Sequence, residues 1–138
     1  MSLVTVARLD AVVLRVRDLD RSVQWYSNIL GLTPAHRDDA TGIAILHLEG
    51  APLTLWRTPD LPSDDQARRT GDRTARGVSL TSHLSAFPIF AVNDAFAAHA
   101  ALTEAGVEVS TLHEDLSVRW CEFTDPDGNR LEVCESVV

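Results

Sequence analysis

The chain contains no lysine. All twelve of its basic residues are arginines. That removes two chemistries at once, the Schiff-base lysine and the phosphate loop that depends on a lysine. Cysteine is scarce as well. Cys121 and Cys134 are the only two, too few for a disulfide framework. Nowhere does an apolar run approach the ~18 residues that a membrane-crossing helix needs. No signal-peptide pattern opens the chain. Together these absences predict a cytoplasmic protein with no membrane partner. Positive charge is also in deficit: 12 basic residues face 20 acidic ones, for a net charge of −8. Phosphate binding needs a basic footprint, so no nucleic-acid partner is expected.

What is present suits a globular protein. The 138 residues are 45% hydrophobic, enough for one domain, or for two small modules sharing a core. The pattern is a repeat. "AVVLRVRDLDRSVQWYSNILGLTP" (11–34) parallels "FPIFAVNDAFAAHAALTEAGVEV" (87–109). Each copy has a β-rich run ending in V-x-D, then a helix, a glycine and a second β-rich run. Asp18 and Asp94 fit as N-caps, accepting bonds from the first free amides of each helix. Gly31 and Gly106 fit just past the helix ends, where positive φ suits glycine. Leu19, Val23, Tyr26 and Leu30 recur at helical spacing in the first copy, with Ser22 and Ile29 beside them. Ala95, Ala98, Leu102 and Ala105 do so in the second.

Three more strands are expected after each helix, over 33–38, 42–49 and 53–58, then over 107–113, 117–124 and 129–136. Each half closes on a hairpin. "ILHLEGAPLTLW" turns at Glu49–Pro52, and "WCEFTDPDGNRLEVCE" turns at Asp125–Asn129, where Asp-Pro-Asp-Gly supplies turn chemistry. The chain thus reads as a single domain, 1–138, built of module 8–58, linker 59–84 and module 85–136, each module βαβββ. The polar linker carries Arg68, Arg69, Arg73 and Arg76. It reads either as a solvated loop or as a lid.

The two βαβββ halves, the "RDLDRSVQWYSNILGL" helix and the closing "FTDPDGNRLEV" resemble the vicinal oxygen chelate superfamily of glyoxalases, bleomycin-resistance proteins and extradiol dioxygenases. The resemblance implies an α+β fold, two modules forming an open, cleft-containing, eight-stranded barrel-like sheet. It also implies where a metal would sit. Carried over residue by residue, the family's ligand positions fall on Ala11, Thr54, Phe87 and Glu132. Glyoxalase I-like members place Gln or His, Glu, His and Glu there. Only Glu132 offers a strong donor, and a catalytic divalent metal usually needs about three protein ligands. No metal or other cofactor is therefore expected at the family site.

Alternation along the strands extends the map, because every second residue shares a face. With Ala11 toward the cleft, Val13 and Arg15 follow, while Val12, Leu14 and Val16 pack under the helix. With Glu132 toward the cleft, Cys134 follows, and pairing across the last turn adds Glu122 and Trp120. Thr54 and Trp56 come from the first hairpin, and a two-residue turn at Gly50–Ala51 sets His47 opposite Thr54. Arg15, Trp56, Phe87 and Trp120 are thus the candidate ligand-binding residues, and Glu132, Glu122 and His47 the candidate catalytic ones. Arg15 also matches the arginine with which glyoxalase I-like proteins hold a substrate carboxylate. Plainer readings exist: the tryptophans as packing, His47 as an ordinary strand histidine, Arg15 as a salt bridge to Glu132 or Glu122. Cys121 and Cys134 read as inert thiols, and His36, His83, His99 and His113 are assigned no role.

Three functions compete. The first is a metal-independent protein that binds a small organic molecule, aromatic or acidic, as a resistance-type sequestering protein does. The second is a lyase or isomerase of glyoxalase type that uses Glu132 with Glu122 or His47 as an acid–base pair. The third is a metal enzyme whose site is displaced to His47, Glu122 and Glu132. A homodimer is expected under each, because sheet edges seek partners.

Overall fold

The computed structural model describes residues 2–61 and 86–138. Most of the linker expected over 59–84, with its four arginines and His83, lies outside the described residues. The chain divides into two compact units at Leu61/Pro62.

The first unit runs β1 (Val12–Val16), α1 (Leu19–Leu30), β2 (Pro34–Asp38), β3 (Ile43–Leu46) and β4 (Leu53–Arg57). Its sheet has the order β1-β4-β3-β2, with β1 parallel to β4 and the other pairs antiparallel. The Asp18 carboxylate caps α1 by accepting from the Arg21 amide at 3.1 Å, and Gly31 ends the helix at φ 68°. Leu19, Ser22, Val23 and Tyr26 are the buried face of α1, as the helical spacing predicts. That face packs on β3 and β4, where Ala44, Leu46, Leu53 and Leu55 are buried. A helix with one apolar stripe and a strand with one apolar face have a single way to meet. On the helix side Arg37 of β2 also reaches Asp20 of α1.

The second unit repeats the order with β5 (Ile89–Ala91), α2 (Ala95–Glu104), β6 (His113–Glu114), β7 (Val118–Thr124) and β8 (Arg130–Ser136). Its sheet order is β5-β8-β7-β6, the same topology as the first. Asp94 caps α2, accepting from the Ala97 amide at 3.0 Å. Leu131, Val133, Cys121 and Phe123 are buried on the side where α2 packs against β7 and β8. Glu135 ties sheet to helix: its carboxylate accepts from the Ala95 amide at 2.8 Å and pairs with Arg119 at 3.0 Å. The described residues thus form eight strands, in two four-stranded sheets.

Three expectations need correction. The strand expected at 107–113 is reduced to an isolated bridge, Val109 to Phe123, and the two-residue β6. Ser110 explains the break. Its Oγ accepts from the Glu122 amide at 2.9 Å, while its own amide donates to the Glu122 carbonyl at 2.8 Å. A side chain that takes a ladder bond displaces the next backbone pair. Second, Leu53 pairs with Leu46 and Thr54 with Ile45, so His47 is not opposite Thr54. The ladder stops at Leu53 because Pro52 has no N–H to continue it. Third, Ala105 is the exposed C-cap of α2 and not part of its buried stripe.

The β7–β8 turn is held by one side chain. Asp125 is buried, and its Oδ1 accepts from the amides of Asp127 and Asn129, each at 2.9 Å. Its Oδ2 accepts from Asn129 Nδ2 at 2.8 Å. Gly128 completes the turn at φ 85°. Asp125→Ala should lower unfolding stability by about 1.5–3 kcal/mol, the usual cost of losing hydrogen bonds to a charged acceptor. Urea unfolding followed by circular dichroism checks this.

Candidate functional site

Among the described residues each sheet has one face packed on its helix and one face without a helix, and Arg15, Trp56, Trp120, Glu122 and Glu132 fall on the second kind. In the first unit Val13 pairs with Thr54 and Arg15 with Trp56, so these four share the helix-free face. The Arg15 guanidinium lies over the Trp56 ring, 4.4 Å from its centroid, and Arg15 donates to Thr58 Oγ1 at 3.3 Å. Such stacking is a cation–π contact. The flanking residues are apolar: Ile43 is opposite Trp56 and Ile45 opposite Thr54. His47 lies past the end of β3, exposed, with its amide on the Thr33 carbonyl.

In the second unit the Asp125 turn sets the register. Glu122 is directly opposite Glu132, and Trp120 is opposite Cys134. On the other side of β8, Ile89 is beside Glu132 and Ala91 beside Cys134. His113 pairs with Trp120, and their rings stack with centroids 5.3 Å apart. Arg130, two residues before Glu132 and thus on the same face, pairs with Glu122 at 2.8 Å. Its guanidinium also covers the Phe87 ring, 3.9 Å from the centroid. Arg130 and His113 had no expected role. Alternation signals Arg130 directly, since residues 130, 132 and 134 share a face. His113 needed the register of the short β6.

The two carboxylates differ. Glu122 is partnered by Arg130. Glu132 is only 8% exposed, and among the described residues its carboxylate makes no hydrogen bond or ion pair. Burial, and then the Glu122 charge, raise its pKa above the ordinary carboxyl range, with Arg130 and His113 opposing. Glu132 also affects the thiols. Burial and then Glu132 push both Cys121 and Cys134 up, which keeps them protonated and poor nucleophiles.

The family's metal positions do not fit an ion here. Ala11 and Phe87 have no lone pair, Thr54 has a neutral hydroxyl, and the face of Phe87 already holds a cation, the Arg130 guanidinium. Among the described residues no group of three or more His, Cys, Asp or Glu side chains is disposed to hold a metal.

Two βαβββ units with this strand order, each with its last strand beside its first, define the class of paired-module proteins built on a βαβββ repeat. A family model places the chain more narrowly. The Glyoxalase/Bleomycin resistance protein/Dioxygenase superfamily model matches residues 8–133, and the chain belongs to that superfamily. Solved structures agree on the fold. The fosfomycin resistance protein FosX from Listeria monocytogenes is similar at 13% identity and a TM-score of 0.70, covering 97% of each chain. TnmS3, an antibiotic binding protein from Streptomyces sp. CB03234, is similar at 18% identity and a TM-score of 0.67, covering 96% of this chain and 98% of that one. Lactoylglutathione lyase from Agrobacterium tumefaciens is similar at 14% identity and a TM-score of 0.66, covering 95% of each. No curated protein matches the chain by sequence. No described helix is long and apolar enough to cross a membrane.

The raised carboxyl of Glu132 has a consequence for stability. An unfolded glutamate titrates near ~4.3, and the folded one titrates higher. The fold therefore favours the neutral acid. That stabilisation is complete below the unfolded value and is lost as pH rises through the folded one. Glu132→Gln keeps the shape without the charge. The variant should match the parent in melting temperature at acid pH below the carboxyl range, and exceed it near neutral pH. Thermal melts across that range check the sign.

Proposed function

We propose that this chain is a metal-independent member of the superfamily that binds a small organic molecule with an aromatic body, on the helix-free face of its second sheet. One observation carries the reading: the Trp120–His113 stack on the same sheet face as Glu132, in a chain whose family metal positions carry a single carboxylate. Flat aromatic surface with a few polar groups is what small-ligand sites are made of. The fold itself does not choose among functions, since binding, resistance and lyase proteins share it. Elemental analysis after dialysis should find well under one divalent metal per chain, and a chelator should leave the melting temperature unchanged. A metal held near one equivalent would overturn the metal-free reading.

A second reading, a lyase or isomerase of glyoxalase type, is favoured by the Glu122–Glu132 pair. A carboxyl raised by burial and a like charge is suited to proton transfer near neutral pH. Turnover of a panel of carbonyl and thiohemiacetal substrates, abolished by Glu132→Gln, would establish it.

Arg15 belongs to the same proposal in the first unit, where it offers an anionic group a partner above Trp56. Arg15→Ala should weaken an acidic ligand that binds there by about 1.5–3 kcal/mol and leave a neutral one unaffected. Calorimetry with both ligands separates this from a structural role, which would weaken both equally. The proposal includes a homodimer. Within each sheet the outer strands (β1 and β2, β5 and β6) have one neighbour each, and such edges seek pairing. Sedimentation equilibrium at micromolar concentration should give twice the chain mass; a monomer would count against it.

A further inference from the structure

We infer that the helix-free face of the second sheet is a site for an organic cation, an ammonium or amidinium carried on an aromatic body, with the cation against Glu132 and the ring against Trp120 and His113. This rests on the small-molecule-binding reading above and adds the sign of the ligand's charge.

The argument starts from a cost. Like charges directly opposite one another on neighbouring strands destabilise a sheet, and Glu122 and Glu132 are such a pair. A buried carboxylate is expensive unless a partner meets it. The other acidic side chains of this sheet that come out of water have that partner. Glu135 has Arg119 and the Ala95 amide, Asp125 has its two backbone amides, and Glu122 has Arg130. Glu132 is more than nine-tenths buried, lies on the face shared by Trp120 and Glu122, and among the described residues accepts nothing.

Among the described residues little is available to it. Arg130 is committed to Glu122 and to the Phe87 ring, and no lysine exists anywhere. A metal is not the missing partner by the donor argument already given. Unpartnered, the acid is driven toward its neutral form, and a cation that brings its own bulk is what would hold it charged. The neighbouring surface fits such a body, because Ile89 and Cys134 flank Glu132 and the indole–imidazole stack lies one residue pair further along. An ammonium beside a carboxylate gains a charge-assisted hydrogen bond, and beside an indole it gains a cation–π contact.

Three probes of one shape test the inference: phenethylamine, phenethyl alcohol and phenylacetate, titrated into the isotope-labelled full chain and followed by NMR at the Trp120 indole and the Glu132 and His113 amides. Phenethylamine should bind at least about tenfold more tightly than the alcohol, the scale of one hydrogen bond to a charged group, with phenylacetate weakest. Glu132→Gln should remove the amine's advantage and leave the alcohol unchanged. The comparison among probes uses the parent protein, so it stands even if the variant misfolds. Equal binding of all three at these residues would overturn the cation inference while leaving the binding reading intact. Binding of none at this face would overturn both. Shifts of the same residues by magnesium or zinc alone, reversed by chelator, would replace the organic cation with a metal.

Discussion

The hydrogen bonds that Asp125 accepts within its own turn decide what the second sheet can do. They fix where β7 stops and β8 starts, and hence which residues of the two strands stand opposite. Side chains alternate at a period of two, so a slip of β8 by one residue would send Glu132 and Cys134 under α2 and bring Leu131 and Val133 to the other face. The buried pairs Cys121–Val133 and Phe123–Leu131 hold the register from the helix side. The carboxylate pair is therefore a consequence of core packing plus one turn, and it persists although it costs free energy.

Much of this was legible in the sequence, and the reasons are local. The Asp-Pro-Asp-Gly-Asn turn is short and chemically specific, so counting outward from it places Glu122 against Glu132 and Trp120 against Cys134. The capped helices were legible for the same reason: an aspartate before and a glycine after bound each one tightly. The first hairpin was less so. Gly50–Ala51 suggests a two-residue turn, but Pro52 ends the ladder and Leu53 takes Leu46 as its partner, which removes His47 from the strand. The weak strand at 107–113 failed for a non-local reason. Ser110 spends its hydroxyl on the Glu122 amide, and no propensity of the segment itself announces that. Arg130 was within reach of alternation alone, whereas the His113–Trp120 stack required knowing that only two residues of β6 pair.

Arginine is placed differently on the two faces of the second sheet. On the helix side Arg119 joins Glu135 and Glu114 and lies 5.1 Å from the Phe96 ring centroid, so it closes a network that also fixes the start of α2. On the other side Arg130 joins Glu122 and covers Phe87. A planar guanidinium can pair with a carboxylate and stack on a ring at once, which an ammonium does poorly. A chain that uses arginine for every positive charge is thus well suited to neutralise acids beside aromatic rings. Among the described residues the one buried carboxylate it leaves without a hydrogen bond or ion pair, Glu132, stands out more sharply for that.

That carboxylate also occupies the single family metal position that keeps a strong donor. In a site with a full donor set, the ion's charge offsets the carboxylate's, and the buried acid is held as an anion. Here Ala11 and Phe87 offer no lone pair and Thr54 only a hydroxyl, so these positions do not make up a full donor set, and burial raises the Glu132 pKa. A leucine at the position would be cheaper for the fold and would suit the buried strand. A glutamic acid whose pKa burial raises, beside an aromatic stack, can instead meet a hydrogen-bond acceptor as the neutral acid or a cation as the carboxylate. The stability that the fold gives up at this one strand position is therefore the physical reason to look for the site's function there, on the second sheet.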